Sequence, residues 1–413
     1  MSEQQTGRWL TVIGIGDNGL ASLTPEAQSL LWQAETIVLG ERLDAVLSGS
    51  QLPSLKRMLN WSGGFRDTLE QVLALRGTPV TVLATGDPMH FGIGATLRRY
   101  VSAREMHVIP SPSAFSLAAS RLGWPLQTTA QISLHGRPVA HLARHMLPGA
   151  RILALTGDRH TAGEVSDRLV AAGFGPSVLT VLEHIGGAAE RIVRMTAEDF
   201  ASEKPEIDDF YTLGIDVAGD GAVLPPVPGL PDDAFRHDGQ LTKREVRAVT
   251  LSFLRPQPNA LLWDVGAGCG SISVEWLRCG MGTEAIAIEA KAERRAMIEE
   301  NADRLGVPDL QIVEGLAPTA LDGLPAPDRI FIGGGINNEG VFEGCFEALK
   351  PGGLLVANAV TIEGEGQIAY LRSLHGGELV RLQVSRSAPV GRYCGWKSLM
   401  PVTIWVMKKE QVE

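Results

Sequence analysis

At 413 residues the chain is too long for one hydrophobic core to be the default, so two domains of roughly 150 to 220 residues are expected. Its 44% hydrophobic and 20% charged residues contain no apolar run near the ~20 needed to span a bilayer, which argues against a membrane-embedded class. A net charge of −10 without any Lys/Arg run argues against nucleic acid as a partner.

The first residues, MSEQQTGRWLTVIGIG, lack the basic region, long apolar stretch and cleavage site of a secretory signal, so a cytoplasmic location is expected. Apolar runs then predict strands at Leu10 to Ile13, Thr36 to Leu39, Val80 to Ala84 and His107 to Ile109. Helical patterns alternate with them, as at Thr24 to Trp32, where Thr24 suits the cap and Pro25 the first helical position. Near residue 126 the pattern changes to a second set of strands: Gln131 to Leu134, Ile152 to Leu155, Val178 to Leu182, Arg191 to Met195 and Phe210 to Leu213. Helices are expected among these near His141 to Met146 and Ala162 to Ala172. Residues 1–216 therefore read as an α/β domain of two lobes, with a cleft between them as a usual place for ligands.

The stretch Val217 to Asp233, VAGDGAVLPPVPGLPDD, interrupts its backbone with prolines 225, 226, 228 and 231, so residues 217–233 read as a linker. In residues 234–413 a helix is predicted over Thr242 to Leu254, stopping before Pro256. Strands and helices then alternate through LLWDV, EAIAIEA, LQIVEG, RIFIGGG, GLLVANAV, ELVRLQV and MPVTIWVM. Seven strands joined by crossovers predict a doubly wound, Rossmann-like sheet whose last strand runs antiparallel. Cysteines 269, 279, 345 and 394 form no C-x-x-C pair, so reduced structural thiols are expected. His141 and His145 lack the Glu that a zinc-binding helix carries between them, and no metal site is expected.

Two Gly-rich turns carry the chemistry. In LLWDVGAGCGSISVEW, Leu261 to Trp276, an apolar strand ends at Asp264-Val265 and glycines 266, 268 and 270 follow, letting a ligand approach backbone closely at a helix N-terminus. Glu289, about 25 residues after Asp264, stands where a carboxylate would meet ribose hydroxyls. At the other end of the chain, Gly14, Gly16 and Gly19 formally satisfy G-x-G-x-x-G, yet the helix begins only at Thr24, late for a dinucleotide fingerprint. Three further strand-ending turns accompany it: TGDPMHFGIG from Thr85, SPSAFSLAASRLGWPL from Ser111 and SLHGRP from Ser133.

The motif DVGAGCG with IEA and EGLAP resembles the seven-stranded class I S-adenosylmethionine-dependent methyltransferases, and the N-terminal set resembles the two-lobed tetrapyrrole methylases, the class III methyltransferase fold. With the entry segment QLTKREVRA and the ending GRYCGWKSLMPVTIW, the fused chain resembles the methylating and decarboxylating enzymes of cobalamin biosynthesis that act on precorrin-6B. The resemblance implies methylation at carbons 5 and 15 with loss of the ring-C acetate, giving precorrin-8, and one S-adenosyl-L-methionine site per domain. The first site would use Gly14, Gly16, Gly86, Asp87, Gly92, Ile93, Ser113 and Ala114; the second Thr242, Gly266, Ala267, Gly268, Cys269, Gly270, Glu289, Leu316 and Ala317. Two departures stand out: Asp17-Asn18 where many relatives have proline, and Leu316 where many carry an acid. The partners expected are a precorrin and further copies of the chain in a homo-oligomer, without nucleic acid or membrane.

A methyl transfer to an electron-rich carbon needs orientation more than a base, so no Ser-His-Asp set is expected, and the catalytic residues stay unassigned. Asp87, within a Gly-Asp-Pro turn, is expected to bond its own backbone. The loop Arg386 to Lys397 gathers Arg386, Arg392, Tyr393 and Lys397, either as a solvated loop or as a grip on substrate carboxylates. Arg98, Arg99, Arg121 and Arg137 could serve likewise in the N-terminal cleft. Two rival readings remain at this stage, a nicotinamide-dependent oxidoreductase and a methyltransferase with one half acting as scaffold.

Overall fold

The computed structural model describes residues 7–47, 57–280 and 282–410. They form two compact units, one comprising the chain up to Val139 with His145–Ala222, the other Ala140–Arg144 with the chain from Val223 onward. Among the described residues no helix is long and apolar enough to cross a membrane.

In the first unit, strands β1 (Leu10–Ile15), β2 (Thr36–Leu39), β3 (Arg57–Asn60), β4 (Val80–Thr85) and β5 (Met106–Ile109) make a parallel sheet of order β3-β2-β4-β1-β5. β1 and β4 are almost wholly apolar because both faces of the sheet are covered. Leu10, Val12 and Val82 pack with Leu69 and Val72 on one side, Ile13, Ile15 and Leu83 with Ala27 and Leu31 on the other. The helix Pro25–Gln33 starts as its sequence dictates: Thr24 Oγ1 accepts from the Ala27 N–H at 3.2 Å, a cap contributing about 1 kcal/mol. β3 has no counterpart in the sequence reading, because its four residues, two of them exposed, are too few to show a pattern.

The second sheet of this unit has β6 (Thr129–Ser133), β7 (Arg151–Leu155), β8 (Val178–Glu183), β9 (Arg191–Thr196) and β10 (Tyr211–Asp216) in the order β6-β7-β10-β8-β9. β6 and β7 are parallel and the remaining pairs antiparallel. The helix expected near His141 is a 3-10 helix, Val139–His145. The helix Ala114–Leu122 follows β5 but sets Phe115, Ala118 and Ala119 against Leu153 and Leu182 of the second sheet, so packing ties the two lobes together.

The second unit is built on β11 (Leu261–Val265), β12 (Glu284–Glu289), β13 (Gln311–Glu314), β14 (Arg329–Ile332), β15 (Leu354–Ala359), β16 (Glu378–Leu382) and, after a hairpin of β17 (Ser385–Val390) and β18 (Tyr393–Ser398), β19 (Val402–Lys408). The order is β13-β12-β11-β14-β15-β19-β16, with β19 antiparallel to both neighbours and the rest parallel. Alternate strand residues feed opposite layers: Leu262, Ala287 and Phe331 meet the helices Arg244–Leu254, Ser271–Arg278 and Ala292–Arg304. Trp263, Ile286 and Ile330 meet Val341–Ala348 and Ile362–His375. The hairpin corrects the expectation of a loop from Arg386 to Lys397. Its two strands pair only with each other, so neither face is buried and no apolar alternation marks them.

Candidate functional site

The parallel strands β11, β12, β14 and β15 all end on one edge of the sheet, where open α/β folds hold their ligands. Directly after β11, Gly266, Gly268 and Gly270 adopt φ of 71°, 61° and 76°, which side-chain-bearing residues adopt only with strain. A Cβ on Gly266 would lie 3.4 Å from the Gly334 carbonyl oxygen, so this turn runs against the Gly333–Gly335 turn that follows β14. A cavity of about 890 Å³ opens beside them.

Of the residues assigned from sequence, Thr242, Gly266, Ala267, Gly268, Cys269, Glu289, Leu316 and Ala317 line this cavity. Gly270 does not; a Cβ there would come within 2.9 Å of Ile298, so this glycine lets the helix Ala292–Arg304 pack against the turn. Glu289, the last residue of β12, is buried, and its two oxygens accept from Gly268 N–H at 2.9 Å and Lys291 N–H at 3.0 Å. Those bonds fix the carboxylate while leaving lone pairs for a diol. Asp264 is buried too, with one oxygen accepting from the Ser273 N–H and hydroxyl and the other without a partner. Burial pushes its carboxyl up to about 6 against those hydrogen bonds. Burial likewise pushes the Cys269 thiol up to about 11, so it presents backbone rather than a nucleophile.

A strap from Gly229 to Lys243 forms another wall, contributing Gly239, Gln240, Leu241, Thr242 and Lys243. The Glu275 carboxylate accepts from Gly229 and Leu230 N–H and pairs with the fully buried Arg247, whose guanidinium also donates to the Thr242 carbonyl at 2.6 Å. Asn301 binds the strap at Arg236 and the glycine turn at the Cys269 carbonyl, and Arg294 donates to Asp238 and Gln240. The sequence reading missed this strap wall apart from Thr242, and missed the triple glycine and Asn358. RIFIGGG carried a legible signal, a glycine run after a buried strand; so did the polar Asn358 in an apolar strand.

Arg386, Arg392, Tyr393 and Lys397 lie on the hairpin and none lines the cavity. Arg386 is already engaged, forked onto Glu245 and bonded to Asp232, which holds its guanidinium above the usual range. Arg392 stacks over the ring of Tyr393, and Lys397 is exposed.

In the first unit β4, β1 and β5 are adjacent, so their closing turns meet at one edge. A Cβ on Gly14 would fall 2.1 Å from the Gly86 carbonyl oxygen, and one on Gly92 2.6 Å from that of Pro88, so both must be glycine for the turns to pass. Asp87 accepts from Met89 N–H at 2.8 Å, bonding its own turn. Ile93 opens the helix Ile93–Leu97, and Ser113 caps the helix that begins at Ala114 through a bond from Ser116 N–H. Gly16 donates to Ser22 Oγ, and the following Asp17 pairs with Arg42 and stands 3.3 Å from His184 Nδ1 of the second lobe. The departure at Asp17 thus ties the turn to the other lobe. Among the four cleft arginines, Arg121 is forked onto Glu190, Arg98 is bonded to the Val101 carbonyl, and Arg137 lies over the Phe91 ring.

Comparison with known proteins connects both halves. A family model described as "Tetrapyrrole (Corrin/Porphyrin) Methylases" matches residues 10–201, and one described as "Precorrin methyltransferase domain" matches residues 233–409. A protein of Sinorhizobium sp named precorrin-6Y C(5,15)-methyltransferase [decarboxylating] is 47% identical over 97% of this chain and 96% of its own length. The chain belongs to that family. A Mycobacterium tuberculosis protein of the same name (strain CDC 1551 / Oshkosh) is 37% identical over 97% of this chain and all of its own length. A Pyrobaculum calidifontis protein, named probable cobalt-precorrin-6B C(15)-methyltransferase (decarboxylating), is 38% identical over 43% of this chain and 94% of its own. As a member of the precorrin-6Y C(5,15)-methyltransferase family this chain is a methyltransferase of the S-adenosylmethionine-dependent type, and the nicotinamide reading is left without support.

Proposed function

We propose that the chain methylates precorrin-6B at carbons 5 and 15 and decarboxylates the ring-C acetate, whose carboxylate leaves as carbon dioxide while the remaining carbon takes up a proton to become a methyl group, giving precorrin-8, with one S-adenosylmethionine site in each unit. The observation that carries the reading is the second-unit cavity, where a left-handed glycine turn, a buried carboxylate fixed by two backbone N–H groups and a strap stand around one space. When bound, S-adenosylmethionine supplies a methyl group on a cationic sulfur. The chain's part is to hold and orient: Glu289 for ribose hydroxyls, the Gly266–Gly268 backbone for close approach, and Leu316 and Ala317 for the adenine side. The apolar wall of Leu382, Val384, Leu399 and Met400 offers a surface against which a macrocycle would lie, and water displaced from it by the bound ring would favour loss of a carboxylate as neutral carbon dioxide.

The convergence of Gly14, Gly86, Gly92 and Ser113 at one sheet edge supports a second, separate site in the first unit. Decarboxylation is assigned to the second unit. A relative whose 184 aligned residues make up 94% of its length carries C(15)-methylation and decarboxylation in one name, which supports keeping those two steps together. A cytoplasmic homo-oligomer is part of the same reading.

The test is turnover of precorrin-6B with labelled S-adenosylmethionine by the whole chain: two methyl groups and one carbon dioxide per substrate are expected. Glu289→Ala should weaken S-adenosylhomocysteine at one of two sites by ten- to a hundredfold, roughly the 1.5 to 3 kcal/mol of hydrogen bonds to a charged group. A single binding site in the unaltered chain, or turnover with one methyl, overturns the two-site reading.

A further inference from the structure

Between Val223 and Glu410, the described arginines and lysines that are not solvent-exposed have a carboxylate or backbone carbonyl on the charged group, as Arg247 has Glu275, Arg294 has Asp238 and Arg386 has Glu245. Lys243 is the exception. It is half-buried, lines the cavity, and its ammonium takes part in no hydrogen bond or ion pair.

The helix that follows makes no use of that ammonium. Lys243 is the residue before the helix Arg244–Leu254 and supplies no capping bond, where Ser, Thr or Asp would satisfy a free N–H. That helix end is already served by carboxylates, with Asp232 accepting from the Arg244 N–H at 2.9 Å and Glu245 in the first turn. Neither capping nor an ion pair within the chain uses the ammonium, which leaves it available to an anion entering the cavity.

The other walls say what kind of anion. Glu289 is the negative group lining the cavity, fixed by Gly268 and Lys291 N–H with lone pairs left for ribose hydroxyls. The side formed by Val360, Leu382, Val384, Leu399 and Met400 is apolar. The cationic hairpin residues Arg386, Arg392 and Lys397 do not reach the cavity. A ligand with an apolar body and carboxylates at its edge matches an apolar wall with the unpaired ammonium groups of the half-buried Lys243 and the exposed Lys291 on the rim.

We propose that Lys243 is the substrate-binding residue that holds a peripheral carboxylate of the tetrapyrrole in the second unit, setting the macrocycle's orientation before methylation and decarboxylation. This rests on the function proposed above. The cofactor's amino-acid end also bears a carboxylate, so the two sources must be separated by experiment.

The whole chain and its Lys243→Gln and Lys243→Arg variants are compared in three assays: calorimetric titration with S-adenosylhomocysteine, fluorescence titration with uroporphyrin as a stable octacarboxylate macrocycle, and carbon dioxide release against precorrin-6B concentration. For Lys243→Gln we expect S-adenosylhomocysteine affinity within threefold of the unaltered chain, at least tenfold weaker uroporphyrin binding at one site, and a KM for carbon dioxide release raised tenfold or more. Lys243→Arg should recover most of both losses. A tenfold loss of S-adenosylhomocysteine affinity with unchanged KM would assign the carboxylate to the cofactor and overturn the proposal. Unchanged values in all three assays would make Lys243 a plain solvated cation and overturn it equally. If the unaltered chain does not turn over precorrin-6B, the function proposed above fails; uroporphyrin binding that still depends on Lys243 would then preserve the carboxylate site, and binding that does not would remove it.

Discussion

Asp264 and Glu289 sit on adjacent strands at the same sheet edge, yet their surroundings ask opposite things of them. Glu289 accepts two backbone N–H bonds at the cavity wall, whereas Asp264 has an oxygen sealed in without a donor. With its carboxyl raised from 3.8 to about 6 in the fold, Asp264 keeps its proton longer in the folded than in the unfolded chain. The stability it contributes is therefore full at acid pH and is lost as pH rises through about 6, a difference of up to about 3 kcal/mol. In Asp264→Asn this contribution to the pH slope should vanish, and urea unfolding of the second unit at several pH values between roughly 4 and 8 would measure it. Identical slopes in the two proteins would mean that the carboxyl is not desolvated in the way its burial implies.

The strap from Gly229 to Lys243 contains no strand and, apart from the three-residue turn Asp232–Ala234, no helix, so side chains must hold it. Its main anchor is the Arg247–Glu275 pair, in which both side chains are buried. Glu275→Gln leaves the guanidinium with only the longer carboxylate contact to Asp232 at 3.4 Å and frees the strap's Gly229 and Leu230 amides from a charged acceptor, so a loss of about 3 kcal/mol is expected. Arg386, which ties the hairpin to Asp232 and Glu245, keeps 41% of its side chain exposed, and water screens it. Arg386→Gln should cost about 1 kcal/mol or less. Denaturant unfolding of the two variants gives the ranking, and a larger loss from Arg386→Gln would contradict it. In the sequence Arg386 looked available for substrate because its partners, at 232 and 245, lie some 140 to 155 residues away in the chain.

At the scale of the molecule, the second unit carries a seven-stranded sheet with both faces covered from its own residues, and the chain entering it at Ala222 and Val223 is exposed. A fragment starting at Val223 should therefore fold and bind S-adenosylhomocysteine with an affinity within about threefold of the same site in the whole chain. Circular dichroism and calorimetry on the purified fragment check this; an unfolded fragment would show that the segment Ala140–Arg144, which belongs to the second unit, is required for its stability.

The sequence by itself determined what depends on neighbours along the chain. Continuous apolar runs marked the buried parallel strands, Thr24-Pro25 marked a helix start, and glycines 266, 268 and 270 marked a turn that needs left-handed backbone. Glu289 was legible as well, because its distance from Asp264 is fixed by one strand–helix–strand passage. Tertiary structure alone decided the remaining walls of the cavity. The strand order sets Gly333–Gly335 against Gly266 and brings Leu382 and Met400 to the side of a turn more than a hundred residues earlier. It also decided which cations stay unpaired. A charge finds its partner by distance in space, so the sequence could count Arg386, Arg392, Lys397 and Lys243 alike, while only the folded chain occupies Arg386 with carboxylates and leaves Lys243 facing the cavity without one.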